Sequence, residues 1–322
     1  MKTKTAAPNT LREAMQFFAD KDFAHEFFVE LRWPKGVRCP ACDAEKPSFI
    51  KTRRIWQCRS CGRQFSAKLG TIFEDSPLGL DKWLPALWML SNCKNGISSY
   101  ELARALGVTQ KSAWFMLGRI RLAMRSRSFK KFGGEVEVDE TFVGGLAKFM
   151  HKSKRERVIK GTGGMNKTKV VGVLMRQGRG RKASSRIQAN VVPDVTMSRL
   201  QPHVEAAVRP GAKVYTDAAW QYGRLADEYR HAVIDHNRGY VRGRVHTNGL
   251  ENFWSLLKRA IKGTYVSVDP FHLSRYVDEQ VFRFNHRDVK DGQRFAKVLR
   301  RVMGKRLTYH ELTGGALNLA TT

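Results

Sequence analysis

The sequence has no run of about 18 apolar residues, the length a helix needs to cross a bilayer. No apolar signal segment follows Met1 either, since the residues to Asn9 are merely polar. A membrane-spanning or exported protein is therefore not expected. Cysteine is scarce, and four of the five stand in two Cys-x-x-Cys pairs. That argues against a disulfide framework and for metal binding in a reducing compartment. Internal repeats and compositionally simple tracts are also lacking. Acidic residues are in short supply, 29 against 58 Lys and Arg, which leaves a formal charge of +29. Such a surface seeks a polyanion, and with membranes set aside the expected partner is nucleic acid, in the cytoplasm and on DNA.

With 322 residues, 42% of them hydrophobic, the chain can fill two or three domains. Residues 1–35 read as an N-terminal helical segment, with Leu11, Met15, Phe18, Phe27, Phe28 and Leu31 at broadly helical spacing before Pro34 and Gly36. A Cys-rich stretch occupies 36–70 and a helical one 71–132. From Gly133 the apolar runs turn short and β-branched, which predicts strands at 136–143, 170–175, 186–192, 214–216 and 232–234. Helical patterns at 196–208, 218–228, 248–261 and 271–284 lie between and after them, giving an α/β domain over 133–285. Residues 286–322 form a basic tail. The segment 148–169, with eight Lys or Arg and one acid, and the segment 283–306 are the expected holders of DNA.

Cys39, Cys42, Cys58 and Cys61 place fifteen residues between the two pairs, the spacing of two thiolate knuckles closing one tetrahedral zinc site. Four soft thiolates leave no open position, so one structural Zn²⁺ is expected. Lys51, Arg53, Arg54, Trp56, Arg59, Arg63 and Phe65 suit this ribbon to DNA, although such ribbons also contact protein. Cys93, among Trp88, Leu90 and Ile97, reads as a buried helical thiol.

Residues 97–124 read as two helices around a tight turn. Ser98 or Ser99 caps the first with Glu101 early in it, Gly107 ends it, and Thr109 caps the second. Ala113, Trp114, Leu117 and Ile120 would face inward, leaving Gln110, Lys111, Ser112 and Arg119 to reach a DNA groove, as in a helix-turn-helix. Helical hairpins with a glycine turn also occur as plain packing units.

Phosphodiester chemistry without a covalent intermediate needs an activated nucleophile and a stabilised leaving oxygen, which two Mg²⁺ ions about 4 Å apart provide through carboxylate ligands. Asp139 shares a strand face with Glu135 and Glu137, so one face offers three acids where one is needed. Asp217 ends a short strand, where open α/β sheets place ligand-binding groups. Glu251 begins a helix that carries Lys258 two turns later on nearly the same face. Each acid taken alone also fits a surface or capping role.

These residues together resemble a known family, the DDE transposases of bacterial insertion sequences related to the eukaryotic Merlin elements. The likeness runs through Leu31-Arg32-Trp33-Pro34, the Cys pairs and Gly70-Thr71-Ile72-Phe73. It continues in Val138-Asp139-Glu140-Thr141-Phe142-Val143-Gly144-Gly145 and in Tyr215-Thr216-Asp217. It then takes in His246-Thr247-Asn248 with Glu251, Phe253-Trp254 and Lys258-Arg259, and closes in Phe282-Arg283-Phe284-Asn285. The resemblance implies a zinc ribbon and helix-turn-helix joined to an RNase H-like catalytic domain. Asp139, Asp217 and Glu251 would then hold two Mg²⁺, or Mn²⁺, with Lys258 and Arg259 on DNA near the reacting phosphate. Asn248 rivals Glu251 as third ligand; an anionic oxygen binds Mg²⁺ more strongly, which favours Glu251. Glu137, Glu140 and Asp235 are read as supporting acids.

The expected activity is cleavage at insertion-sequence ends and joining of the freed 3′ hydroxyl to target DNA, by a homodimer or higher oligomer that pairs two ends. Two other readings stand beside it: a DNA-binding regulator with an inactive nuclease fold, and a repair or junction nuclease that cuts without joining.

Overall fold

Thr10 and Asp20 each accept a hydrogen bond from the backbone N–H three residues on, and so begin α1 (Leu11–Phe17) and α2 (Lys21–Arg32). The computed structural model describes residues 8–126, 130–145, 151–153, 156, 167–177, 184–217, 220–234 and 243–314. Most of the basic segment 148–169, and Asp235, lie outside the described residues. The chain divides into two compact units, one of Met1–Met124 with Val289–Thr322 and the other of Arg125–Asp288. Among the described residues no helix is long and apolar enough to cross a membrane.

In the first unit, α2 leads into a three-stranded antiparallel sheet of β1 (Ser48–Ile50), β2 (Ile55–Gln57) and β3 (Gln64–Ser66), in that order. Trp56 on the middle strand pairs with Phe49 and Phe65 and stacks on His25 of α2, so aromatic rings fill a sheet too small for an aliphatic core. Three helices follow: α3 (Leu80–Asn92), α4 (Ser99–Leu106) and α5 (Gln110–Met124). Ser98 and Glu101 form a capping box at the start of α4, and Gly107 ends it at φ +63, where a side chain would be strained. Thr109 then accepts the Ser112 N–H to cap α5. The turn and both helices thus lie where the sequence pattern put them.

Two expectations change here. Arg119, read as free to reach DNA, is 3% exposed and donates to the backbone carbonyls of Ile72, Glu74 and Leu307. It is a buried tie between three segments and is removed from the DNA-contact set. Residues 286–322 are set apart above as a basic tail, but from Val289 onward the chain belongs to this same unit. There α9 (Asp291–Leu299) buries Phe295, Val298 and Leu299, and Phe295 packs its ring on Trp88 and Phe18. The short α10 (Tyr309–Leu312) sets Leu312 against Gly118 of α5, where an added Cβ would stand 3.0 Å from the leucine methyls.

The second unit is a mixed five-stranded sheet in the order β6-β5-β4-β7-β8. Its strands are β4 (Glu135–Val143), β5 (Thr168–Met175), β6 (Arg186–Val192), β7 (Lys213–Asp217) and β8 (Arg230–Ile234). β4, β5 and β6 run antiparallel in succession, whereas β7 and β8 run parallel to β4 and to each other. Even-numbered β4 residues Val136 and Val138 pack with Val171, Val173 and Val214 under α6 (Met197–Ala207) and the 3₁₀ segment Trp220–Asp227. Val143 on the odd-numbered face packs with Val170 and Leu174 under α7 (Asn248–Arg259) and α8 (Pro270–Asn285). Period-two alternation therefore decides which helix each β4 side chain meets. Asn285, at the end of α8, accepts from the Ile187 N–H and donates to the Ile187 carbonyl, fastening the helix to edge strand β6.

Candidate active site on the mixed sheet

The parallel register Glu135↔Lys213, Val136↔Val214 and Glu137↔Tyr215 ends two residues before Asp139 and Asp217, and Asp217 is close enough for its charge to act on Asp139. Both stand where a parallel strand pair opens toward its carboxyl ends. Burial pushes the Asp139 carboxyl up to about 7; the charges of Glu140 and Asp217 add to that rise, and a hydrogen bond from Trp254 opposes it. Glu140 lies on the opposite face of β4, where its carboxylate accepts from the Tyr222 hydroxyl. Burial, with Glu140, Asp139 and Asp217 nearby, raises the Tyr222 phenol well above its ordinary range. Three half-buried acids thus lie close together at the middle of the sheet.

Helix α7 comes to this locus on the Asp139 face. Trp254 donates its indole N–H to Asp139 Oδ2 at 2.8 Å. Its ring reaches there by crossing β5 at Gly172, the cross-strand partner of Asp139. A Cβ on Gly172 would lie 2.7 Å from two ring carbons of Trp254 and 2.7 Å from a Leu250 methyl. The glycine is therefore a steric requirement of the Trp254–Asp139 contact. Gly172→Ala is expected to displace the indole and cost about 1–3 kcal/mol of stability, as read from urea melting. Unchanged melting would show that the strand shifts to absorb the methyl.

Lys258 follows Trp254 by one turn and Glu251 precedes it by one, so one helix face carries all three. Burial lowers the Lys258 ammonium, Lys167 and Lys262 add to that, and Asp139 opposes it, which places the amine within electrostatic reach of the aspartate. Glu251 is exposed, and the Thr247 hydroxyl donates to its Oε1 at 3.4 Å. Asn248 and Arg259 are exposed at the two ends of α7. The structure therefore brings Asp217 and Lys258 within electrostatic reach of Asp139. It does not close Asp139, Asp217 and Glu251 into one cage: among the described residues, only the four cysteines bring three or more ligand atoms within 4.8 Å of one another.

The start of α7 is held by a buried acid that sequence pattern alone does not rank. Glu137, 1% exposed, accepts from Arg176 Nε at 2.6 Å and from the Leu250 backbone N–H at 2.9 Å. A carboxylate among the free N–H groups of a first helical turn is favoured by charge and by hydrogen bonding. Arg176 stacks its guanidinium on Tyr215 and donates to the carbonyls of Arg244 and His246, so residues 244–246, which lead into α7, are tied down. Glu135 is paired to Arg244, whose hydrogen bonds hold its carboxyl down to about 2. Glu137→Ala leaves Arg176 buried without its carboxylate and is expected to cost about 3–5 kcal/mol in chemical denaturation. A cost near zero would mean that α7 is positioned by its apolar face alone.

In the first unit, Cys39 and Cys61 sulfurs lie 3.7 Å apart and Cys42 and Cys58 sulfurs 3.5 Å apart. Four thiolates around zinc at ~2.3 Å stand roughly 3.8 Å from one another, so this cage fits the ion. The two knuckles share one turn: the Asp43 N–H bonds the Cys39 carbonyl and the Gly62 N–H the Cys58 carbonyl, with φ +57 and +70 at Asp43 and Gly62. Backbone N–H groups of Cys61 and Ser60 lower the Cys58 thiol to about 6, favouring the thiolate that binds metal. At the start of α5, Lys111 is exposed with its amine over the Tyr309 ring, and Gln110 is half-buried and donates to the Ser99 hydroxyl.

Comparison with known proteins gives these features a common origin. Residues 20–64 match the transposase zinc-ribbon domain and residues 131–285 match the ISXO2-like transposase domain. The chain is 28% identical over 255 residues to an uncharacterized protein in transposable element ISH50 of Halobacterium salinarum, an overlap covering 75% of this chain and 83% of the relative. The Cys₄ ribbon and the mixed-sheet domain are each similar to a transposase domain, which supports a transposase role with DNA as the substrate. In its sheet domain the chain is similar to the ISXO2-like transposases.

Proposed function

We propose that the protein cleaves DNA at the ends of its insertion sequence and joins the freed 3′ hydroxyl to target DNA, using Asp139, Asp217 and Glu251 on an RNase H-like sheet. The observation that carries this reading is the juxtaposition of Asp139 and Asp217 on neighbouring parallel strands, with α7 brought over them through Trp254. Three antiparallel strands followed by two parallel ones, with acids on the first and fourth strands and a later helix, support the RNase H-like assignment. A half-buried aspartate raised to about 7 beside two other acids fits a site made for cations. Asp139 and Asp217 would hold divalent metal, Mg²⁺ or Mn²⁺, and Glu251 would complete the set. Bound there, two such ions supply positive charge to the attacking and leaving oxygens of an in-line displacement.

The chain's own residues do the rest. Trp254 fixes the direction of the Asp139 carboxylate, and Glu137 and Arg176 set the start of the helix that carries Glu251. Lys258 and Arg259 draw the DNA phosphate onto that helix face. In the first unit, α4 and α5 form a helix-turn-helix that presents Gln110 and Lys111 to the element's ends, and the zinc ribbon adds basic contacts. Two copies would act together, since two ends must be joined to one target.

The test is to incubate the full chain with Mg²⁺, a duplex carrying the element's end and a supercoiled target plasmid. Joined products are expected. Cleavage without joining would favour a nuclease, and binding without cleavage a DNA-binding regulator.

A further inference from the structure

After α7 the chain makes one π-helical turn, Ala260–Tyr265, and then bends sharply at Val266. There φ is +62 and ψ is −57, and the Ser267 N–H bonds the Tyr265 carbonyl at 2.6 Å. That is a γ-turn of the strained hand, which glycine tolerates and a β-branched residue strongly resists. Val266 is nevertheless 78% exposed, the most exposed of the large hydrophobic residues among those described. Ser267 is exposed with it, whereas Tyr265 and Val268 are half-buried. Tyr265 and Val268 pack on the core under α7 and α8, and Tyr265 donates its hydroxyl to Glu279, which is buried in α8. The turn is anchored on both sides and holds one valine out into solvent.

The surroundings identify what meets it. Exposed Arg259 and Lys262 precede the turn, Lys258 lies within electrostatic reach of both Lys262 and Asp139, and beyond it Arg275 stands over the exposed ring of Phe271. An apolar tip between two helical segments that carry these cations suits a duplex whose phosphates bind the cations while the tip enters between bases. We propose that Val266 is a wedge inserted at a base step of DNA held at the Asp139 site, unstacking it next to the reacting phosphate. The inference rests on the proposed DNA site. It explains why strain is kept at a surface position where glycine would relieve it.

The experiment uses the full chain without divalent metal and two sets of duplexes carrying 2-aminopurine one position at a time. One set is cut from the ends of the insertion sequence and the other has mixed sequence as target. Anisotropy reads binding and 2-aminopurine fluorescence reads unstacking. With the wild type, fluorescence is expected to rise at one step near the joining site, and the set in which it rises tells whether the wedge enters end or target DNA. Val266→Gly should bind within about threefold of the wild type, since the phosphate contacts remain. It should lose the fluorescence rise, and melt about 2 °C or more higher because the strain is gone. Val266→Met should keep the rise. Binding by the wild type with no brightened position overturns the wedge, as does an undiminished rise with Val266→Gly. Absence of binding to either duplex overturns the DNA site and the wedge with it.

Discussion

Asp217→Asn is expected to bind end DNA as the wild type does and to yield joined product at a level lower by on the order of a thousandfold or more, as metal-assisted displacement loses several kcal/mol of charge stabilisation. The substitution changes almost no volume. Asp217 closes β7, where its backbone pairs with Ile234 of β8, and that pairing does not depend on the side-chain charge. Melting temperature and the salt dependence of binding should therefore stay as they are, which separates chemistry from folding and from phosphate contact. One further readout follows from the electrostatics. Asp217 helps to push the Asp139 carboxyl up to about 7, so its removal should let Asp139 titrate lower, seen in the carboxyl carbon shift of the metal-free protein. If Asp217→Asn joins strands as well as the wild type, the paired aspartates are not the reacting centre. The same assay on Glu251→Ala and Asn248→Ala decides between the two candidates on α7, because the third ligand is the one whose loss abolishes joining.

Parts of this molecule were legible in the sequence and others were not, for physical reasons. The strands of the sheet announce themselves because β4 alternates valines with acids, and alternation is a local property of the chain. The ribbon is legible for the same reason, since its ligand spacing is short and fixed. Arg119 was misread because a helix pattern treats an arginine as outward-facing, whereas three backbone carbonyls from distant segments draw it inside. The last segment was misread because its lysines and arginines hide a helical stripe of Phe295, Val298 and Leu299, and only the partner surface of α3 reveals it. Around the candidate site the same limit holds. Trp254 could be quoted as part of a motif, but its bond to Asp139 spans 115 positions, and the need for a glycine at 172 arises only once the indole lies across β5. Glu137 was one of three acids on a strand face; its burial under the first turn of α7 distinguishes it from Asp139, and no local signal carries that.

Removal of zinc is expected to unfold residues 38–66 while the sheet unit 125–288 stays folded. The three strands of the ribbon have three residues each, below the size at which a sheet holds itself together in water. Their apolar content is a handful of rings around Trp56, so the cage of four sulfurs is what closes the fold. Zinc-finger peptides draw about 10–16 kcal/mol from such a site at neutral pH, far more than this small aromatic cluster can replace. The loss should appear as a red shift of Trp56 fluorescence and as rapid hydrogen exchange over 38–66, with slow exchange kept in β4 and β5. Cys58→Ser should reproduce it without a chelator, which matters because a chelator would also strip the divalent ions proposed for the sheet domain. Metal analysis should give one zinc per chain for the wild type and none for the variant. Unchanged protection over 38–66 in the metal-free protein would mean that packing against α2, through His25 and Trp56, holds the ribbon by itself.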